Sequence, residues 1–146
     1  MSTNLKVYNA DEVTIVIGPV LVQSGLADGE FLRIEQETDD TEDVAGTDGE
    51  VAVSRTNDRR ATATVLLMQT SDSNDGLSTL SALAKEAAGM AGGIVPFLVK
   101  DKNGRTLHTA ANCWVRRAPD RSFDRTAGTN EWQVRLSHLA RFDGGN

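Results

Sequence analysis

The chain has 146 residues, 39% of them hydrophobic and 25% charged, which is the profile of a soluble globular domain with enough length to bury a core; it reads as a single domain over residues 1–146. One cysteine, Cys113, excludes an internal disulfide framework and a cysteine-based zinc site, and the N-terminus lacks the basic-then-apolar pattern of a secretion signal. The net charge of −6 is uneven: residues 35–50 carry −8, so all other residues sum to +2.

The first apolar run, VTIVIGPVLV, is too short to span a bilayer and is interrupted at Gly18-Pro19, so no membrane insertion is expected. Val13, Ile15 and Ile17 alternate onto one face, and Gly18-Pro19 breaks or bulges the strand. Asp28-Gly29 lies between this run and Phe31–Gln36, which alternates Phe31, Arg33 and Glu35 against Leu32, Ile34 and Gln36. Asp-Gly between apolar runs predicts that these two strands form a hairpin.

The stretch EQETDDTEDVAGTDGE follows, with eight carboxylates, Glu35, Glu37, Asp39, Asp40, Glu42, Asp43, Asp48 and Glu50, and no base. It fails as a calcium loop, because starting from Asp39 or from Asp40 puts Val44 or Ala45 where the sharp-turn glycine belongs. Its composition permits disorder, but Asp48-Gly49 is turn chemistry leading into a strand with Val51 and Val53. The favoured reading is a long loop that orders against a neighbouring chain.

RRATATVLLM is a strand with Ala61, Ala63, Val65 and Leu67 on one face and Thr62, Thr64, Leu66 and Met68 on the other. A helix is predicted near residues 75–90, capped by Ser73, Asn74 or Asp75. Its apolar stripe is Leu77, Leu80, Ala84 and Ala87 with Leu83 beside it, and Gly89, Gly92 and Gly93 stop it. Residues 94–117 read as a hairpin turning at Asn103-Gly104. Strict alternation puts Leu107, Thr109, Ala111, Cys113 and Val115 opposite His108, Ala110, Asn112, Trp114 and Arg116. After a polar loop, a last strand alternates Trp132, Val134, Leu136 and His138 against Gln133, Arg135, Ser137 and Leu139, and the tail DGGN is expected to be loose. The sum is a mainly β fold: two packed antiparallel sheets, as a sandwich or half-barrel, with one flanking helix and a long acidic loop.

Chemistry is hard to find. His108 and His138 have no ligand partners at metal spacing, Cys113 reads as a small core residue, and no phosphate-binding, dinucleotide or nucleophile-elbow motif occurs. No enzyme activity, metal or cofactor is expected. Arg116, Arg117, Arg121 and Arg125 form one basic group, diluted by Asp120 and Asp124, too weak for tight DNA binding. From Lys100 onward nine Lys or Arg stand against five Asp or Glu. An acidic segment and a basic C-terminal third would suit copies meeting head to tail; two solvated surfaces are the alternative.

The succession YNADEVTIVIG, GLADGEFLRIE, AGTDGEVAVSRTNDRRATATVLLMQTSDSND and TNEWQV, with the helix and the order of strands, resembles the tail tube proteins of contractile-tailed bacteriophages and the related inner tubes of type VI secretion. The resemblance implies two packed β-sheets and a helix, assembled into hexameric rings stacked as a hollow tube inside a contractile sheath. It implies that double-stranded DNA passes without specific binding, and that sheath, baseplate or tube initiator, tape measure and terminator proteins are partners. The location it implies is the virion tail, assembled in the host cytoplasm. In such proteins a long loop between early strands reaches a neighbouring subunit or ring, and residues 35–50 occupy that place; the four arginines are the candidate counterpart. A tube terminator or head–tail connector of the same fold, or a small-ligand-binding β-barrel, are the alternatives.

Overall fold

The structure is a computed structural model and describes residue 5 and residues 7–86 and 93–145. Strand β1 (Val13–Ile17) turns back through Gly18-Pro19 into β2 (Val20–Val22), pairing Ile17 with Val20. Gly18 has φ +59, and a Cβ there would lie 2.6 Å from Val95 Cβ, so only glycine fits the turn. The hairpin therefore closes at Gly18-Pro19 and not at Asp28-Gly29. Strand β3 (Leu32–Gln36) pairs with β6 (Ala61–Met68), and the segment before it runs beside β6: the Ala27 N–H donates to Leu66 O, and the Met68 N–H to Gly25 O. Asp28-Gly29 bends the chain without setting its partner.

β7 (Val95–Asp101) and β8 (Leu107–Arg117) form the expected hairpin, and β9 (Thr129–Leu136) and β10 (Leu139–Phe142) follow. The large sheet has eight antiparallel strands, ordered β2-β1-β7-β8-β9-β6-β3, with β10 also on β8. β8 serves two neighbours on one edge, β10 along Leu107–Ala110 and β9 along Cys113–Arg117. A second, small sheet has two strands, β4 (Thr41–Ala45) and β5 (Val51–Arg55).

The inward residues of β1 and β2 at one end of the strand order, and of β6 and β9 at the other, join one hydrophobic cluster, with Val13, Phe31, Leu32 and Ile34 packed against it. Val13 of β1 and Leu32 and Ile34 of β3 also line the same cleft. The sheet is thus curled around its core. On β6 the predicted split holds: Ala61, Ala63, Val65 and Leu67 are fully buried.

Two departures from strict alternation are bulges or bends. Val95 pairs with Cys113 but Phe97 with Ala110, so β8 carries one extra residue. Past that bulge the phase flips, and His108, Ala110, Cys113 and Val115 all face the core. Likewise a bend at Ser137-His138 separates β9 from β10, so His138 is exposed and Leu139 buried, the reverse of the continuous strand expected.

Helix α1 (Ser73–Glu86) is the one α-helix among the described residues. Leu77 and Leu80 are buried, but Leu83 is 49% exposed and Ala84 is exposed, so only the first half of the predicted stripe packs. Ala87, Gly89 and Gly92 lie outside the described residues; Gly93, the last glycine of the predicted stop, has φ +75. The helix start differs too. Ser71 Oγ accepts from the Ser73 N–H at 3.3 Å, while Asn74 Oδ1 accepts from Trp132 Nε1 at 2.8 Å and Asn130 Nδ2 at 3.2 Å. Asn74 ties helix to sheet and satisfies a buried indole. The tail is held as well: His108 Nε2 lies 2.9 Å from Asp143 Oδ1, and Thr106 Oγ1 donates to Gly144 O at 2.9 Å.

Candidate assembly surface

The acidic stretch is not a loop. Glu35 and Gln36 end β3, Thr41–Ala45 is β4, and the turn before β5 holds Asp48-Gly49. In that turn the Gly46 N–H donates to Glu50 O at 2.7 Å, the Gly49 N–H to Gly46 O at 3.0 Å, and Asp48 Oδ1 accepts from the Glu50 N–H at 3.1 Å; Gly49 has φ +89. The hairpin forms by pairing with itself, so the expectation that it orders only against another chain is corrected.

It does not, however, pack on its own body. Every residue of β4 and β5 is exposed. Opposed residues share a face, which puts Thr41, Asp43, Ala45, Val51, Val53 and Arg55 on one side and Glu42, Val44, Ala52 and Ser54 on the other. Val44, Val51 and Val53 are 63%, 58% and 63% exposed. A two-stranded hairpin with no apolar cover is marginal in water, and each valine covered by a partner would gain about 1.5–3 kcal/mol.

The eight carboxylates divide by role. Glu35 pairs with Arg33 at 3.4 Å, and Gln36 Nε2 donates to Asp40 Oδ1 at 2.9 Å. Glu37 is different: Arg135 Nη1 lies 2.6 Å from its Oε1, and Thr62 Oγ1 donates to the same oxygen at 2.8 Å. The Thr62 hydrogen bond holds the Glu37 carboxyl below its ordinary range against the opposing effect of burial, helped by Arg135, Arg116 and Arg60. Asp39, Asp40, Glu42, Asp43, Asp48 and Glu50 make no ion pair with any described residue. Nor do the carboxylates converge: among the described residues no group of three or more His, Cys, Asp or Glu side chains is placed to hold a metal ion.

Of the four candidate arginines, Arg116 is within electrostatic reach of Glu37, and the other three lie elsewhere. Arg116 and Arg117 end β8, Arg117 pairing with Asp120 at 3.3 Å. Arg121 stands over the ring of Phe123, itself 79% exposed, at 5.0 Å, and Arg125 is exposed in the same loop. That loop returns to the sheet where the Gln69 N–H donates to Gly128 O, beside the end of β6, and Arg121 shares a cleft with Thr70, Ser71 and Asp72. The acidic hairpin leaves from the other end of β6, where Gln36 pairs with Ala61. Eight residues of strand separate the two, roughly 25 Å at about 3.3 Å per residue. Among the described residues, β2 and β3 each have one strand neighbour, and β8 beyond Cys113 has no β7 partner.

Arg135 and the exposed valines were not singled out from the sequence as site residues. Arg135 alternating with buried Val134 and Leu136 was the available signal. The interior that a ligand-binding barrel would leave open is filled by Phe97, Leu136, Leu67 and their neighbours.

Residues 9–143 match the family described as Bacteriophage PhiTE tail tube protein. Structural protein ORF10 of Pseudomonas phage KPP10 is 31% identical over 152 residues, covering 100% of this chain and 87% of that protein. Among solved structures the fold is similar to the PVC sheath/tube terminator of an extracellular contractile injection system in the extended state, with TM-score 0.61 and 9% identity over 97% of this chain and 100% of that one. It is also similar to the PVC sheath-tube complex in the extended state, with TM-score 0.59 and 9% identity over 92% and 90%. At those identities the likeness is one of fold, whereas the family match runs through sheet, hairpin and helix alike: this chain belongs to the Bacteriophage PhiTE tail tube protein family.

Proposed function

We propose that residues 1–146 act as one domain whose copies close into hexameric rings, and that the rings stack into a hollow tube inside a contractile sheath. Double-stranded DNA passes through without specific binding on its way into the host. The observation that carries this reading is the acidic hairpin with its stalk: exposed valines on both faces and six carboxylates without an ion pair among the described residues, at the far end of β6 from an exposed Arg121–Phe123 pair. Opposite charges at opposite ends favour a head-to-tail contact, which does not close and so builds a filament. The outer edge of β3 and the Trp114–Arg117 edge, which has no β7 partner among the described residues, supply a second contact, strand against strand, that closes a ring. On this reading the tail sheath, a baseplate or tube initiator, a tape measure and a terminator protein are further partners. Assembly takes place in the host cytoplasm, and the product resides in the virion.

Electron microscopy of the purified protein tests the proposal. Sixfold rings and stacked tubes are expected, with or without a tube-nucleating partner. Featureless monomers at every concentration would defeat it, and rings that never stack would move the protein to the terminator or connector role.

A further inference from the structure

We infer that Glu37, Thr62 and Arg135 form a lock that fixes the direction in which the hairpin leaves the sheet, making them positioning residues for the contact between copies. The assembly consequence rests on the hairpin reading above; the lock itself does not.

From residue 35 to residue 60 only Asp58 is other than exposed, so no apolar packing holds the hairpin to the body. Its orientation depends on polar ties in two linkers, 37–40 and 56–60. These linkers are joined to each other. The Glu37 N–H donates to Arg60 O at 3.1 Å, the Thr56 N–H to Asp40 O at 3.0 Å, and Thr38 Oγ1 to Asp58 O at 3.4 Å. Arg60 stiffens the return linker through Asp58, with Nε 2.9 Å from Oδ1 and Nη2 2.8 Å from Oδ2.

One side-chain cluster then anchors this stalk to the neighbouring strands β6 and β9. Glu37 is the first residue past β3, Thr62 lies on β6 and Arg135 on β9, and Thr62 and Arg135 are direct register partners. Arg135 Nη1 donates to Thr62 Oγ1 at 3.2 Å and sits 2.6 Å from Glu37 Oε1, while the Thr62 hydroxyl donates to that oxygen. The three groups close a triangle. All three stand on the face turned away from the core, since their strand neighbours Ala61, Ala63, Val134 and Leu136 are fully buried.

The burial of this pair sets it apart. Its side chains are 14% and 30% exposed, whereas the Arg33–Glu30 pair is 52% and 53% exposed and the Arg117–Asp120 pair 65% and 91%. A half-buried ion pair adds little net stability but is directional, which is what an unsupported projection needs. A hairpin already aimed at its partner loses less freedom on docking.

Spin-label distance measurement on the dilute full-length subunit tests the lock directly, with nitroxides on Thr47→Cys at the hairpin tip and Lys85→Cys on α1, buried Cys113 staying unlabelled. A narrow distribution is expected, with at least about twofold broadening in Glu37→Gln and in Arg135→Gln. The charge swap, Glu37→Arg with Arg135→Glu, keeps Thr62 between opposite charges and is expected to restore the narrow distribution. Thr62→Val, which removes only the bridging hydroxyl, gives partial broadening and keeps the test open should an Arg135 variant unfold. Single variants as narrow as the parent, or a folded swap that stays broad, would overturn the lock. Tube assembly is the second readout: the concentration needed should rise about tenfold in each single variant and recover in the swap. If the parent forms no tubes while the distances behave as stated, the stacking proposal fails and the lock stands. Broadened singles that assemble as readily as the parent would overturn the positioning role.

Discussion

Strands β5 and β6 are written in similar language, VAVSR and ATATVLLM, small and β-branched residues in alternation. Yet Ala61, Ala63, Val65 and Leu67 of β6 are fully buried, while Val51 and Val53 of β5 are more than half exposed. The difference lies in what stands opposite. β6 has β9 and β3 on its two edges and the curled sheet over its inner face; β5 has only β4. Alternation therefore specifies a strand without saying whether its apolar face is covered by the same chain or left for another. In a subunit of a tail tube family, the uncovered strand is where an assembly contact is to be sought.

Several substitutions would sharpen or break this contrast. The largest effect belongs to the core. Phe97→Ala should lower subunit stability by about 3–5 kcal/mol in urea unfolding, because the cavity cannot collapse in a packed sheet. Excising Thr41–Arg55 should do the opposite: the unfolding midpoint stays close to the parent's, since Asp40 and Thr56 are already hydrogen-bonded across the gap, but tubes disappear from micrographs. A large loss of stability on excision would mean that the hairpin supports the body after all.

Replacing Val44, Val51 and Val53 by Ser should change subunit stability by no more than about 0.5 kcal/mol each and still suppress stacking. Neutralising Asp39, Asp40, Glu42 and Asp43 to Asn or Gln is expected to weaken or misregister the stack more mildly. In the parent, polymer mass measured by sedimentation should fall as salt rises, because charges are screened over about 8 Å near physiological ionic strength. The neutralised variant should lose that dependence; if both respond alike, the carboxylates are incidental.

The smallest effect concerns the stalk and acid. Hydrogen bonds from Arg60, first its side chain and then its backbone, depress Asp58 from 3.8 to about 2. A depressed carboxylate contributes stability above its ordinary value and loses it as pH falls through the folded one. The contribution should therefore be whole above pH 3.8 and fade toward pH 2, and Asp58→Asn should flatten the acid limb of the stability curve.

Much of this was readable locally. The β7–β8 hairpin at Asn103-Gly104, the split faces of β6 and the helix carrying Leu77 and Leu80 follow from turn chemistry and period, which involve residues close in sequence. Other features hung on distant partners. Asp28-Gly29 is a good turn, but whether it joins two strands depends on Gly18-Pro19 closing first and on β6 being free to receive β3. The face of His108 and Ala110 turned on one extra residue in β8, visible only against β7. Carboxylate density at 35–50 suggested a loop because charge masks β propensity; pairing Val44 with Ala52 and Ala45 with Val51 made a hairpin of it.

By itself, then, the sequence determined most of the strand segments, the presence of one helix with Leu77 and Leu80 on its buried side, and that charge is divided into an acidic stretch and a basic third, because these are properties of neighbours along the chain. Tertiary structure decided the order of strands, the phase of β8, the placement of the acidic hairpin and the Arg121–Phe123 loop at opposite ends of β6, and the meeting of Glu37, Thr62 and Arg135. Those depend on which strands lie side by side, and a sheet brings together residues 25 and 98 positions apart in sequence through pairings that no local pattern encodes.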